Sequence, residues 1–225
     1  MEAVTHPHLT RQLDIIPMEI LSTPINIIGA GSIGSFTTLV LAKMGFEDIT
    51  VFDDDEVSIE NMNCQFYTKE DVGIPKVVTL QETIDLFTGL EIKVHRERYN
   101  GEEPLKGIVI SAVDNMKSRK AIWEGHTCNA IRTKLIIDPR MGAEQALVYA
   151  MKPLSPKDQD SYAKTLYSDE DAVHERCTAK STMYTAMMLS GYVGKIVKDF
   201  LTDAPYPRVT MWNIKDNVFK AYFST

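Results

Sequence analysis

Residues 25–55 read INIIGAGSIGSFTTLVLAKMGFEDITVFDDD. The apolar run 25–28, interrupted only by Asn26, has the length and character of a buried strand. Gly29-Ala30-Gly31-Ser32-Ile33-Gly34 follows, and the weakly charged stretch 35–44 predicts a helix closed by Gly45. Residues 48–52 predict a second strand, with Asp53 at its end. Strand, glycine turn, helix and acid-ended strand stand in the order that nucleotide binding requires. Glycines let the backbone approach phosphates, and a helix N-terminus offers free N–H groups and a favourable dipole. Asp53 lies about twenty residues past the last glycine, where a carboxylate can accept hydrogen bonds from ribose hydroxyls. The same glycines would also serve merely to pack the helix against its strand. The motif does not choose among NAD, FAD and ATP.

The rest of the chain bounds this reading. With 225 residues and 44% apolar content, it has room for one domain with an ample core. A formal net charge of -7 disfavours a general nucleic-acid binder. Cys64, Cys128 and Cys177 are widely spaced, so neither a disulfide framework nor a CxxC zinc site is expected. A reducing, cytoplasmic location follows as the simpler expectation. The N-terminus is polar and carries no secretory pattern, and the least charged late segment, 181–194, is too short to span a bilayer.

After Asp53 the acids continue as Asp54, Asp55 and Glu56. Residues 57–67, with Asn61, Asn63 and Gln65, are polar and poorly periodic; they suit a loop along a ligand, although such residues also form ordinary turns. Gly73-Ile74-Pro75-Lys76 opens a helix whose apolar face is Val77, Leu80, Ile84 and Phe87. Lys76 opposes the macrodipole there. It is explained if it faces phosphates, and is otherwise a solvated side chain. Residues 91–99 alternate like a strand, and 107–113 form the apolar run of a central parallel strand. That run ends in Asp114-Asn115, at the edge where open α/β sheets bind ligands. Asp114 suits either the N-cap of a helix over 116–129 or a carboxylate aimed at a ligand.

Strands are predicted over 134–138 and 144–151 with a turn at 139–142, then a surface crossover over about 152–178 with a helical piece near 159–166. A long helix over 181–201 and a hairpin of strands 208–214 and 218–223 complete the chain. The expected fold is α/β: a Rossmann-like, mainly parallel sheet with helices on both faces and antiparallel strands in the C-terminal half. We expect one domain over 1–225, with an arm (1–24), a nucleotide-binding half (25–135) and a C-terminal half (136–225).

These ordered motifs resemble the ThiF/MoeB/HesA family, the adenylation domain shared with ubiquitin-activating E1 enzymes. The carriers are Arg11-Gln12, the glycine turn, Asp53 to Val57, Asn61 to Gln65, Gly73 to Lys76, and Ser111-Ala112-Val113-Asp114-Asn115 with Arg119. The resemblance spans residues 9–203. It implies ATP and Mg²⁺. Gly29, Gly31, Ser32, Gly34 and Asp53 would hold the nucleoside and its approach, with Asn61 and Lys76 on the phosphates and Asp55, Gln65, Asn115 and Arg119 around them. Asp114 would sit by the phosphates and their metal, and Arg11 would reach across a homodimer into the partner's site. The implied reaction joins the C-terminal glycine carboxylate of a ubiquitin-like or sulfur-carrier protein to the α-phosphate.

Two departures stand out. Cys64 occupies the place of a family arginine that contacts phosphate, and losing one such donor costs on the order of 10²–10³ in rate. Arg119, Arg140 or a partner chain are candidates to compensate. The paired CxxC motifs of many relatives are absent, so no zinc is expected. Cys177, flanked by Arg176 and Lys180 that would lower a thiol pKa, is either an acyl acceptor or a passive thiol. Competing readings are adenylation of a small-molecule or tRNA carboxylate, and a degenerate ATP-binding scaffold.

Overall fold

The computed structural model describes residues 9–128, 132–167 and 181–223. In chain order these form β1 (Ile25–Ile28), α1 (Ser32–Lys43), β2 (Ile49–Phe52), α2 (Lys76–Thr88), β3 (Lys93–His95), β4 (Gly107–Ser111) and α3 (Met116–Cys128). Then come β5 (Thr133–Gly142), β6 (Gln145–Met151), α4 (Pro156–Ala163), α5 (Met183–Leu201), β7 (Val209–Asn213) and β8 (Val218–Tyr222). One eight-stranded sheet carries them in the order β3-β2-β1-β4-β5-β6-β7-β8. Pairing is parallel from β3 to β5 and antiparallel from β5 to β8.

The strand pleat sorts the apolar residues into two layers. Ile25, Ile27, Ile108, Ile110, Leu135 and Ile137 join a core with α1, α2 and α5. Ile28, Val109 and Ile136 point the other way, to Ile122 and Trp123 of α3 and Tyr162 of α4. Asn26, the polar interruption of β1, is buried and donates to the carbonyl oxygens of Lys106 (2.8 Å) and Ile108 (3.3 Å). Its amide is therefore satisfied, and the strand keeps its place in the core. Because β1 lies between β2 and β4, the chain reverses its direction of sheet growth there, opening a crevice at the C-terminal strand ends.

Two expectations change. The turn predicted at 139–142 is strand: β5 runs on to Gly142, and the reversal comes at Ala143, with φ 52, and Glu144. Pairing with β4 stops at Ile137, so Pro139 has no parallel neighbour that needs its missing N–H. The strand expected over 91–99 pairs only through Lys93–His95. The long β5 carries the antiparallel half past the edge of the parallel half, to overlook the crevice.

The arm is pinned at the far end of α1. Gln12 Nε2 donates to the Met44 carbonyl (2.9 Å), and Leu9 packs beside Gly45. Among the described residues, no helix is long and apolar enough to cross a membrane.

Candidate active site

The glycines of the β1–α1 turn divide their work. Gly29 has φ +99, and a Cβ there would lie 2.5 Å from the Ala112 carbonyl oxygen. A Cβ on Gly34 would meet the Gly29 carbonyl oxygen at 1.8 Å. These two let the turn, α1 and the end of β4 pack closely. Gly31 is different, since the nearest atom to its Cβ position is Gln65 Nε2 at 3.9 Å, and it lines a cavity of about 1150 Å³. Helix α1 begins there with no side-chain cap and no acid in its first turn. Its free N–H groups and positive dipole end therefore suit an anion. Ser32 lines the same wall.

Asp53 Oδ2 accepts from the Ala30 amide (2.6 Å) and Oδ1 from the Asp55 amide (2.8 Å). Burial raises its pKa, while the nearby Lys76 charge pulls it down. Lys76 is only 5% exposed, so it is not a solvated lysine; its Nζ pairs with Asp55 Oδ2 at 2.7 Å. Asn61 and Gln65 also line the cavity, and Gln65 Oε1 is buried without a hydrogen-bond partner among the described residues. That orphaned acceptor fits a ligand hydroxyl or amine.

At the end of β4, the N-cap falls to Asn115 rather than Asp114: Asn115 Oδ1 accepts from the Ser118 amide (2.8 Å). Asp114 stays exposed at the cavity and accepts from Asn115 Nδ2 (3.0 Å). Asp53, Asp54 and Asp55 also have carboxylate oxygens within 4.8 Å of one another. Amide donors, Arg98 (3.3 Å) and Lys76 already engage them, so Asp114 is the carboxylate best suited to a hard divalent cation.

Deeper in the cavity wall, a buried acid organises two arginines. Asp138 receives Arg119 Nε (2.9 Å), Arg140 Nε (2.7 Å) and the Tyr162 hydroxyl (2.7 Å). Burial would raise the Asp138 pKa, but the two guanidinium charges outweigh it and hold the carboxylate below its ordinary range. Arg140 is further fixed by the Thr165 carbonyl and hydroxyl (both 3.1 Å) and lies 4.7 Å over the Tyr149 ring. Sequence reasoning passed over Asp138. It was signalled as Asp53 was, by an acid that ends an apolar strand.

Cys64 is 4% exposed; its Sγ accepts from the hydroxyls of Ser32 (3.2 Å) and Ser181 (3.0 Å). Of the other expected residues, Gly29, Asn115 and Arg119 line the cavity, and Gly34 lies behind it. Arg11 is exposed beyond the opposite end of α1 and does not line the cavity of its own chain. Cys177, and the side chain of Cys128, lie outside the described residues.

The ThiF family pattern matches residues 18–223. The chain belongs to the ThiF family. As a ThiF-family member it is similar to the sulfur carrier protein ThiS adenylyltransferase of Escherichia coli K12, at 28% identity over 167 residues. That match covers 71% of this chain and 64% of the relative. It is 29% identical over 117 residues to ubiquitin-like modifier-activating enzyme 5 of Drosophila willistoni, covering 44% of this chain and 29% of that enzyme. The chain thus spans under a third of the activating enzymes it matches. A crystal structure of E. coli MccB with ATP superposes with a TM-score of 0.75 at 12% identity, covering 97% of this chain and 72% of MccB. At that identity the likeness shows the fold.

Proposed function

We propose that this ThiF-family chain is an ATP-dependent adenylyltransferase acting on the C-terminal glycine carboxylate of a ubiquitin-like or sulfur-carrier protein. The observation that carries the reading is the convergence on one cavity of an uncapped helix N-terminus, Asp53, Lys76 and Asp114. The names of the relatives support the substrate class: one adenylates the carrier ThiS, and another activates a ubiquitin-like modifier.

In this reading Gly31 and the first turn of α1 receive phosphate oxygens, and Asp53 accepts from the ribose hydroxyls. Lys76 supplies positive charge, with Asp55 holding its ammonium in place. The carboxylate of the carrier attacks the α-phosphorus, the bond to the β-phosphate breaks, and pyrophosphate leaves with acyl-adenylate as the other product. Lys76, Arg119 and Arg11 of a second copy neutralise the charge that gathers on the departing oxygens. Asp114 is the residue that would hold Mg²⁺, which would supply further positive charge there. Cys177 is the candidate to take the acyl group onward as a thioester, with adenylate as leaving group. We further read the chain as one adenylation unit, since a single sheet joins its two halves, and as a cytoplasmic homodimer.

A second reading rests on Cys64. With the buried thiol of Cys64 at the position where the family resemblance implies an arginine, the chain would bind ATP and serve as a scaffold subunit. ATP–pyrophosphate exchange with Gly-Gly-ending carriers tests both. Exchange that depends on one carrier and is lost in Asp114→Ala supports adenylation. ATP binding with no exchange from any carrier, persisting in Cys64→Arg, moves the assignment to the scaffold.

A further inference from the structure

The cavity exceeds the roughly 300–1,000 Å³ of ordinary small-molecule sites, and it extends over the antiparallel strands. There the register places Arg140, Leu147, Met211 and Lys220 opposite one another on β5, β6, β7 and β8. These four residues form one cross-strand row on the sheet face that carries Asp138, and all four line the cavity. At about 4.8 Å between strands the row is about 14 Å long, the reach of about four residues of extended peptide.

The charges along the cavity are unevenly distributed. Five basic residues line it, and four have acid partners: Lys76 with Asp55, Arg98 with Asp54, and Arg119 and Arg140 with Asp138. Lys220 has none among the described residues. The lining acids Asp53, Asp54, Asp55, Glu97 and Asp114 all belong to segments following β2, β3 and β4. Among the described residues, the antiparallel end contributes none. It offers the apolar side chains of Leu147, Met211 and Val218, with Met211 48% exposed, beside the Lys220 ammonium.

We propose that Lys220 is a specificity-determining residue that receives an acidic side chain in the carrier's C-terminal tail, about four residues before the reacting glycine. The inference rests on the adenylation reading above. The tail carboxylate must reach the nucleotide end, which Arg119 and Arg140 mark through their shared Asp138. A chain laid from there across the row meets Leu147 and Met211 with slim or apolar residues and Lys220 with its acid. An unpaired cation discriminates charge through attraction to one sign and repulsion of the other.

The test uses fluorescein-labelled decapeptides ending in Gly-Gly, with Glu, Gln or Lys moved through the fourth to sixth positions from the C-terminus. Two quantities are measured: ATP–pyrophosphate exchange, and anisotropy-monitored binding with a non-hydrolysable ATP analogue. In the wild type, the best Glu peptide exceeds its Lys counterpart by about tenfold in both. Lys220→Glu reverses that order, whereas Lys215→Glu, in the exposed β7–β8 turn, leaves it intact. Exchange without charge preference, or a preference unchanged in Lys220→Glu, overturns the role of Lys220 and spares adenylation. Lys220-dependent binding of the Glu peptide without exchange supports the tail site and counts against adenylation. Neither binding nor exchange with any peptide overturns both.

Discussion

Gly31 and Gly34 belong to one motif and answer to different forces. The Gly34→Ala methyl would be driven into a backbone carbonyl at 1.8 Å, and backbone cannot rotate aside as a side chain can. Its expected cost is about 3 kcal/mol of stability, read by urea denaturation. Gly31→Ala meets nothing closer than 3.9 Å within the protein. It should leave stability within about 0.5 kcal/mol, while ATP affinity, measured by titration calorimetry, falls several-fold because the methyl occupies the phosphate approach. Of the two duties weighed for the glycines in the sequence, packing falls to Gly29 and Gly34, which leaves Gly31 open for the phosphate approach proposed above. Their spacing was legible; which glycine does which was not, because the obstructing atoms belong to a turn and a strand end brought together by folding.

Helix α3, strand β5 and helix α4 meet at Asp138, whose carboxylate is their common acceptor. Asp138→Asn leaves Arg119 and Arg140 without their charge partner, and the expected loss is about 3–5 kcal/mol in urea unfolding. Asp138→Asn should also weaken ATP binding, since both arginines line the cavity. A second junction, between α3 and β5, is His126. It is buried between the Tyr99 hydroxyl (3.0 Å) and Thr133 Oγ1 (2.8 Å), and burial lowers its pKa to about 4. The unfolded chain, titrating near the ordinary value of 6.5, binds the proton more readily in the window between the two. Stability therefore rises with pH from about 4 to 6.5, and as pH falls through that window on the order of 3 kcal/mol is lost. Urea midpoints at pH 7 and pH 4.5 measure the slope, which His126→Asn should flatten. Both junctions depend on partners from other elements, Tyr99 at His126 and Arg119 and Tyr162 at Asp138, so neither His126 nor Asp138 was singled out from the chain alone.

Arg11 sits where the arm is pinned beside Met44, and the cavity opens at the other end of α1. Twelve helical residues separate these ends by about 18 Å, beyond the reach of one arginine side chain. If the enzyme is a symmetric dimer in which Arg11 completes the partner's site, Arg11→Ala and Asp114→Ala should each be inactive alone. Mixed and allowed to exchange subunits, they should recover roughly a quarter of wild-type pyrophosphate exchange, because half the dimers then hold one intact site. No recovery, with mixed dimers shown to form, would remove Arg11 from the shared site.

The α/β class, the strand–turn–helix unit and the acids at strand ends were readable from the chain because each is local. A glycine turn, a period of apolar residues or a proline in a first turn is written in neighbouring residues. The length of β5 was misread because Pro139 looks like a turn former; only the sheet reveals that β4 no longer runs beside it there to miss its N–H. The pairing of Lys76 with Asp55, the clasp of two arginines on Asp138, and the row from Arg140 to Lys220 came only from the tertiary structure. Strand register and burial set those contacts, and most of them join residues from separate elements of the chain.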